Sequence, residues 1–206
     1  MADELVFYTN PMSRGRIVRW MLEEAGATYR TEVVAYGGAM QSDDYRAKNP
    51  MAKVPTLVQG DQVVTECAAI CAWLADAYPQ AELAPKPNER AAYYRWLFFA
   101  AGPVEHAVTN RSMDWIVPPD KRARFSYGDY RSMMDTLVHA VSGSDYIAGD
   151  RFTAADVYVG SQVGWGLQFG TLEKGPELEA YWARISDRDA YRRANALDDA
   201  LIPKEG

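Results

Sequence analysis

Apolar and polar positions near the start of the chain follow first a strand pattern and then a helix pattern. Leu5-Val6-Phe7-Tyr8 is a short apolar run rich in aromatic and β-branched residues, which predicts a buried strand. In residues 14–24 the apolar side chains recur at the i, i+3 and i+4 spacing of one helix face, and Gly26 stands where a helix C-cap is expected. Residues 29–34 predict a second strand. The order is therefore βαβ, which requires a parallel pair of strands and a right-handed crossover.

The following segment completes a small α/β unit. Tyr36-Gly37-Gly38-Ala39 predicts a loop, and residues 42–48 predict a short helix with Ser42 as its N-cap. The remaining elements are strands at 56–59 and 63–65, a turn between them at Gly60-Asp61, and a closing helix at 66–78. The whole order, βαβ-α-ββα, is that of a thioredoxin-like domain.

Beyond position 78 the pattern changes from mixed to helical. Prolines at 79, 85 and 87, together with weak hydrophobic periodicity, mark residues 79–88 as a linker. We therefore predict a thioredoxin-like domain at 1–78 and an all-α helical domain at 89–206. The expected long helices are one from Arg90 to about Trp115 with a kink at Gly102-Pro103, and one that starts at Pro118-Pro119-Asp120 and ends at Gly143.

A capping box marks the start of a later helix. Thr153 is expected to cap this helix, while Asp156, three residues later, accepts a hydrogen bond from the Thr153 backbone. Phe152 and Val157 would form the hydrophobic staple that accompanies such a box. We therefore assign Asp156 a structural role.

Composition and charge narrow the classes of function. The chain has 206 residues, of which 48% are hydrophobic and 24% charged, and its formal net charge is -6. This acidic balance argues against nucleic acid or an anionic membrane as the main partner. No apolar run approaches the roughly 18 residues of a membrane-spanning helix. Met1-Ala2-Asp3-Glu4 leads straight into the first strand, so we expect no secretory signal and a cytoplasmic protein.

Val54-Pro55, followed by Glu66-Cys67, is the most informative stretch. Proline donates no N–H to a strand ladder, so Val54-Pro55 belongs at the start of a strand, where the Val54 backbone stays free to pair with a ligand. Glu66 and Cys67 begin a predicted helix, whose N-terminus offers free N–H groups and a partial positive charge to a carboxylate. The Glu66 carboxylate in turn suits an ammonium group. An edge for peptide backbone beside an amino-acid head-group site is what a small peptide needs.

These residues resemble the glutathione-binding half of the cytosolic glutathione S-transferase family, in which a thioredoxin-like domain precedes a helical one. The resemblance is carried by Val54-Pro55, by Glu66-Cys67 and by the run 49–53, and it points to a bacterial-type, serine-type or unassigned class. It implies a homodimer that uses glutathione as co-substrate and no metal. The glutathione-binding residues that it implies are Lys53, Val54, Pro55, Glu66 and Cys67. The family usually has serine where Cys67 stands, a change that weakens a side-chain hydrogen bond but keeps the backbone N–H.

The resemblance also implies that the glutathione thiol is activated by a hydroxyl group. A free thiol has a pKa of roughly 8.5, and lowering it by about two units takes about 2.7 kcal/mol, which one hydrogen bond to the thiolate and a helix N-terminus can supply. Ser13 stands at the expected N-cap of the first helix, as in serine-type classes. Tyr8 closes the first strand, where other classes carry a catalytic tyrosine, but its interval to Arg14 is longer than in those classes. We favour Ser13, and Tyr8 stays open as the alternative.

The second substrate is expected to be an apolar or aromatic electrophile bound by the helical domain. The candidate residues for this hydrophobic-substrate site are Met12, Glu105, His106, Met113, Trp115 and Trp165. Glu105-His106 is of most interest because a polar pair interrupts an otherwise apolar helix just after the expected kink. Aromatic residues at helical spacing are more often part of the core.

Other chemistries find little support in the sequence. It contains neither a G-x-S-x-G nucleophile elbow nor a G-x-x-x-x-G-K phosphate loop, and its two histidines, His106 and His139, lack partners at metal-ligand spacing. Cys67 and Cys71, four residues apart on one predicted helix, suit neither a framework disulfide nor a CxxC redox pair. The leading interpretation is a detoxification transferase that lowers the thiol pKa of glutathione and conjugates it to apolar electrophiles. A non-catalytic glutathione-binding or regulatory module, or a glutathione-dependent isomerase, dehalogenase or peroxidase, stays open.

Overall fold

The computed structural model describes residues 3–203, and the contacts within it divide the chain into two compact units. The first unit contains the chain up to Leu83 together with the residues from Arg188 onward, and the second is Ala84–Asp187. Met1 and Ala2, which open the acidic N-terminal segment, lie outside the described residues. The sequence-based boundaries 1–78, 79–88 and 89–206 stay a prediction. The contacts add that the last helix of the chain packs within the first unit.

Four strands form the sheet of the first unit, in the order β2-β1-β3-β4. Their bounds are β1 Leu5–Thr9, β2 Arg30–Val33, β3 Thr56–Gln59 and β4 Gln62–Thr65. Strand β1 is parallel to β2 and antiparallel to β3, and β3 is antiparallel to β4. The α/β thioredoxin-like class is thereby confirmed for this unit, and the second unit is all-α.

The α-helices of the described residues follow in chain order. They are α1 Gly15–Ala25, α2 Gly38–Gln41, α3 Asp43–Arg46, α4 Cys67–Ala77, α5 Ala91–Phe99, α6 Glu105–Ser112, α7 Tyr130–Ser142, α8 Ala154–Phe169, α9 Pro176–Ser186 and α10 Asp189–Asp199. Within residues 3–203, every helix falls short of the length and apolar character that crossing a bilayer requires.

Strand β1 separates two packed layers because neighbouring strand residues point to opposite faces. The Phe7 side chain is fully buried, and its ring centre lies 5.1 Å from the guanidinium carbon of Arg19 on α1. The Tyr8 ring faces the other way and lies 5.9 Å from the ring of Tyr45 on α3. Helices α1 and α4 pack against each other on the first face, whereas α2 and α3 cover the second. Helix α10 packs against α1.

Local sequence signals account for several of the helix ends. Gly26 ends α1 in the left-handed conformation, with φ of 62°, and its N–H contacts the carbonyls of the last turn, as the sequence predicted. The Ser42 side chain accepts a hydrogen bond from the Tyr45 N–H at 3.3 Å and so caps α3, which confirms a second prediction. The predicted loop at Tyr36–Ala39 was partly wrong, because Gly38 already begins the short helix α2.

The helices of the second unit differ from the predicted ones near prolines. The long helix continues from α5 through a π-helical turn at Ala100–Val104 into α6, and it ends at Ser112 rather than near Trp115. Pro103 lies inside the π-turn, where its missing N–H disturbs the regular hydrogen bonds.

The helix predicted to start at Pro118-Pro119-Asp120 begins later. Residues Pro119–Arg124 form a 3₁₀-helix, and α7 starts only at Tyr130. Asp129 sets this start because its side chain accepts a hydrogen bond from the Ser132 N–H at 2.8 Å, and the bond lowers the pKa of the Asp129 carboxyl. Gly143 stands at the C-cap, as predicted.

The capping box of α8 is confirmed, and it has a wider role than capping. The Asp156 carboxylate accepts hydrogen bonds from the Thr153 N–H at 2.9 Å and from the Ile147 N–H at 2.8 Å. It also accepts a bond at 3.0 Å from the Tyr181 hydroxyl on α9. Burial raises the pKa of Asp156, while these donors oppose the rise. The residue therefore ties together three segments of the second unit.

Candidate functional site

Strand pairing in the first unit places the Val54-Pro55 segment beside the start of α4. Thr56 pairs with Thr65, so the residues that flank this antiparallel pair lie next to each other. The Val54-Pro55 peptide bond is cis. Within the described residues, no hydrogen bond uses the Val54 backbone N–H or C=O. The edge expected for a peptide ligand is therefore open.

Glu66 has an unusual backbone conformation at this edge. Its φ is 66° and its ψ is 117°, a combination that is strained for a residue with a side chain. It occupies the N-cap position of α4 without making a side-chain cap hydrogen bond, and the Glu66 side chain is exposed. The Glu66 carboxylate is therefore exposed to solvent, and the side chain at the N-cap position does not occupy the first N–H groups of α4, which is what an amino-acid head group would require.

The loop before Val54 is held by two buried polar groups. The Asn49 side-chain amide donates to the Lys53 carbonyl at 2.8 Å and to the Thr56 hydroxyl at 3.2 Å. The Tyr45 hydroxyl donates to the same carbonyl at 2.6 Å, and burial raises the pKa of Tyr45. The Lys53 backbone is thereby fixed while its side chain points into solvent. The Lys53 ammonium group is available to a carboxylate.

Ser13 lies in the loop that joins β1 to α1. Its hydroxyl donates to the Asn10 carbonyl at 2.7 Å and accepts from the Gly15 N–H at 2.9 Å. The prediction that Ser13 is the N-cap was wrong by one residue, since α1 begins at Gly15 and Arg14 holds the N-cap position in a helical conformation. The Ser13 hydroxyl nevertheless accepts the first N–H of the helix, which leaves it polarised by the positive end of α1.

Tyr8, the alternative hydroxyl, is part of a packed cluster. Together with Val54 it packs against the buried residues Val34, Met40 and Tyr45. Strand β1 continues one residue past Tyr8 to Thr9, so Tyr8 pairs with Thr56 inside the sheet and does not close the strand. Its place near Val54 keeps the tyrosine in the region of the site.

Cys67 connects the start of α4 with the loop of Ser13. Its thiol lies 3.6 Å from the Arg14 carbonyl, in hydrogen-bonding geometry. Cys71, one turn further along α4, is completely buried, and burial raises the pKa of its thiol well above the usual value. Both cysteines are free thiols. The Ser13 loop, the Glu66 end of α4 and the Val54 edge thus belong to one side of the first unit.

The candidates for an electrophile site are distributed over both units. Met12 is exposed in the loop of Ser13 in the first unit. In the second unit, the Glu105 carboxylate accepts a hydrogen bond from the Gln162 side chain at 2.6 Å, and the exposed His106 ring lies 3.1 Å from the Ser126 hydroxyl. The other three candidates of that unit are exposed or half-buried side chains: Met113, Trp115 and Trp165. Their joint action on a substrate stays a prediction.

No metal-binding cluster occurs among residues 3–203, because no three histidine, cysteine, aspartate or glutamate side chains lie close enough together to hold an ion.

Gly15 is required by the packing at the start of α1. A Cβ atom added there would lie 1.9 Å from the Thr9 hydroxyl, which is fully buried, and 3.0 Å from the Ser13 hydroxyl. We expect Gly15→Ala to lower the free energy of unfolding by about 1–3 kcal/mol through overpacking and to displace Ser13.

Chemical denaturation measures this loss, with Gly38→Ala as the matched control, since a Cβ atom at Gly38 meets nothing within 4 Å. The control should change stability by less than about 1 kcal/mol. Equal effects of the two substitutions would contradict the assigned close contact.

Sequence reasoning missed the residues that shape the site without touching a ligand. Asn10 accepts a hydrogen bond from the Met12 N–H at 2.9 Å and donates to the Val34 carbonyl at 3.1 Å. Asn49 plays the same part in the other loop. Both precede proline, and an Asn-Pro pair is a known turn signal that could have identified them.

The fold and this site define a class of proteins in which a thioredoxin-like unit carries an open peptide-binding edge and a helical unit follows it in the chain. A family model described as "Glutathione S-transferase, N-terminal domain" matches residues 12–77, and one described as "Glutathione S-transferase, C-terminal domain" matches residues 128–189. The chain belongs to the glutathione S-transferase family. The resemblance seen in the sequence is thereby confirmed.

Individual relatives are distant but cover most of the chain. The protein is 28% identical over 159 residues to glutathione S-transferase GstA of Escherichia coli O157:H7, across 74% of this chain and 77% of that protein. It is 27% identical over 191 residues to the stringent starvation protein A homolog of Haemophilus ducreyi, across 86% and 82% respectively. A solved structure, the theta class glutathione S-transferase of Xanthomonas axonopodis pv. citri with glutathione bound, has 26% identity and a TM-score of 0.73, and the match covers 93% of this chain and 97% of that one.

Proposed function

We propose that this protein is a glutathione transferase that binds glutathione along the Val54 edge, ionises its thiol and joins it to an apolar electrophile. The observation that carries the proposal is the backbone of Val54, which makes no hydrogen bond within residues 3–203 and lies beside the start of α4, where Glu66 has a strained conformation and makes no side-chain cap. Membership of the family and the glutathione-bound relative support the same ligand.

Each part of glutathione has a matching group in the first unit. The backbone N–H and C=O of Val54 pair with the peptide group of the ligand's cysteine, as one strand pairs with another. At the γ-glutamyl end, the first N–H groups of α4 hold the α-carboxylate and Glu66 holds the ammonium group. Lys53 is positioned for the glycine carboxylate. Cys67 contributes its backbone N–H.

Ser13 activates the thiol in this proposal. Its hydroxyl proton is donated to the neutral Asn10 carbonyl in the structure, and it would turn to the sulfur because a hydrogen bond to an anion is about twice as strong as one to a neutral group. The Gly15 N–H keeps its bond to the serine oxygen and makes the hydroxyl a better donor. The thiol proton leaves to solvent, and the thiolate sulfur supplies the electron pair of the new carbon–sulfur bond. On a halogenated nitroaromatic the halide departs with its bonding pair, and on an unsaturated carbonyl the C=C pair moves towards the carbonyl and is protonated from solvent.

The electrophile and the assembly belong to the same proposal. The candidate contacts for an apolar or aromatic electrophile are Met12 in the first unit and, in the helical unit, Glu105, His106, Met113, Trp115 and Trp165. A homodimer is expected as in the family, and the exposed rings of Tyr94 and Phe98 on α5 are candidates for its interface.

A non-catalytic regulatory module is the second candidate function. It is favoured by one observation, the similarity over 86% of the chain to a stringent starvation protein A homolog, whose name is not that of a transferase. Such a module keeps the fold and does not need an ionised thiol.

Two measurements separate these functions. The protein is first passed over immobilised glutathione, and turnover is then measured with an electrophilic nitroaromatic compound and an unsaturated carbonyl compound. The proposal predicts retention and conjugation of at least one compound, with activity that depends on Ser13. Retention without turnover of any electrophile would favour the module, and lack of retention would contradict both glutathione-based functions.

A further inference from the structure

Arg16, in the first turn of α1, uses all three nitrogens of its guanidinium group within the first unit. Nε donates to the Pro11 carbonyl at 2.6 Å. The terminal nitrogens reach α10, where Nη2 lies 2.7 Å from the Asp199 carboxylate and Nη1 lies 3.4 Å from the Asn195 side-chain oxygen. One side chain therefore joins the loop between β1 and α1 to the last helix.

The bond to Pro11 matters because this loop also holds Ser13. Asn10 stabilises the loop by bonds within it, since its carbonyl accepts hydrogen bonds from both the N–H and the hydroxyl of Ser13. Arg16 holds it from the other side through the next carbonyl along the chain. Other bonds also hold the loop, since Asn10 donates to the Val34 carbonyl and the Cys67 thiol contacts the Arg14 carbonyl. Arg16 is the contact that joins the loop to α10.

The other described ion pairs between α1 and α10, or the residue just before α10, lie further along α1. Arg19 pairs with Asp198 at 2.7 Å in the middle of α1, and two more pairs follow towards its end. Arg193 contacts Glu23 at 3.1 Å, and Arg188 contacts Glu24 at 2.6 Å. These bonds fix the C-terminal half of α1 and do not touch the loop. Arg16 differs from the residues of these pairs because it bonds both α10 and the loop that holds Ser13.

Resting on the proposed function, we propose that Arg16 is a positioning residue for thiol activation and that α10 braces it. The guanidinium group is occupied by Pro11, Asn195 and Asp199 and acts on the thiol only through the placement of the Ser13 hydroxyl. Helix α10, at the far end of the sequence, thereby becomes part of the glutathione-activating unit.

Three variants test this arrangement. Arg16→Gln removes the link, and the double variant Asn195→Ala with Asp199→Ala removes the brace but keeps Arg16. Arg193→Gln is the matched control, since it removes an arginine–glutamate pair between the same two helices at the opposite end of α1.

Hydrogen–deuterium exchange on the free protein provides a readout that needs no ligand. We expect the amides of Ser13 and Gly15 to exchange roughly tenfold faster in Arg16→Gln and about threefold faster in the double variant. The reason is that removing one bond of a connected network also weakens the contacts of the residues that the network holds. In Arg193→Gln these two amides should keep the exchange rate of the unmodified protein. Equal rates in Arg16→Gln and Arg193→Gln would overturn the proposal.

The pH dependence of conjugation then tests the role in activation. The pKa seen in the pH profile of kcat/KM is expected to rise in Arg16→Gln and in the double variant, with a roughly tenfold loss of kcat/KM below that pKa for Arg16→Gln. Arg193→Gln should leave the profile unchanged even where its melting temperature falls. If the unmodified protein bound no glutathione, the proposed function would fail. The exchange experiment would still show whether the contact of Arg16 with α10 holds the loop of Ser13 in place. If the unmodified protein bound and ionised glutathione but Arg16→Gln kept the same profile, only the inference would fail.

Discussion

Replacing Ser13 with alanine is expected to raise the pKa of protein-bound glutathione by about two units, back to roughly 8.5. At about pH 6.5 the thiolate fraction would fall from about one half to about one hundredth, so kcat/KM should drop roughly fiftyfold. The physical reason is the loss of the only hydrogen bond that we assign to the sulfur anion. The thiolate's ultraviolet absorbance, followed against pH in the complex, measures the shift directly.

Two further variants make this result specific. Ser42→Ala removes a hydroxyl that caps α3 in the same unit, and it should leave the thiol pKa unchanged. Tyr8→Phe tests the competing hydroxyl. A raised pKa in Tyr8→Phe with an unchanged pKa in Ser13→Ala would transfer the activating role to Tyr8.

Asp198→Ala is expected to cause the largest loss of stability, about 3–5 kcal/mol in the free energy of unfolding. Asp198 forms a 2.7 Å ion pair with Arg19, and the two side chains are only 1% and 3% exposed. Removing the carboxylate leaves a buried guanidinium group without its counter-charge, which is far more costly than losing an exposed pair. Chemical denaturation with two-state analysis measures the change.

A double substitution that restores the lost stability tests whether the unpaired charge of Arg19 causes the loss. Burial raises the pKa of Asp198 while Arg19 opposes the rise. Replacing a buried ion pair by apolar side chains of similar size is often neutral or stabilising, because the desolvation cost of both charges disappears. Asp198→Leu combined with Arg19→Met should therefore recover at least half of the loss. Asp199→Ala is the control, because the Asp199 side chain is 62% exposed and its pair should be worth less than about 1 kcal/mol. A double variant as unstable as Asp198→Ala would contradict this explanation.

The sequence was a good guide wherever local chemistry decides the structure. The short apolar runs became strands, Gly26 and Ser42 ended and began helices as expected, and Thr153 with Asp156 formed the capping box. Val54-Pro55 and Glu66-Cys67 could be placed next to each other from the sequence because the hairpin between them has a short turn that fixes its register.

Other features depend on contacts between residues far apart in the chain, and these were not predictable. The packing of α10 within the first unit rests on pairs such as Arg19–Asp198, which are separated by 179 positions. The start of α7 was misplaced because Pro118-Pro119-Asp120 carries a stronger local helix signal than Asp129. The role of Arg16 was hidden for the same reason, since its partners lie in a helix whose position no local pattern reveals.

Sequence spacing and the contacts in the structure both bear on the choice between Ser13 and Tyr8. Sequence spacing favoured Ser13, and the structure places its hydroxyl against the first N–H of α1. Tyr8 instead packs in a cluster next to Val54. Ser13 therefore stays our proposed activating hydroxyl, since a hydroxyl that accepts the first N–H of a helix is polarised by the positive end of that helix.

A calorimetric titration of glutathione onto the protein, repeated in two buffers with different ionisation enthalpies, tests the central claim most directly. At about pH 7.5 the account predicts saturable binding of one glutathione per chain with release of close to one proton, because the bound thiol ionises. S-methylglutathione should bind without releasing that proton. Absence of any association at millimolar glutathione, or binding with no proton released, would contradict the account.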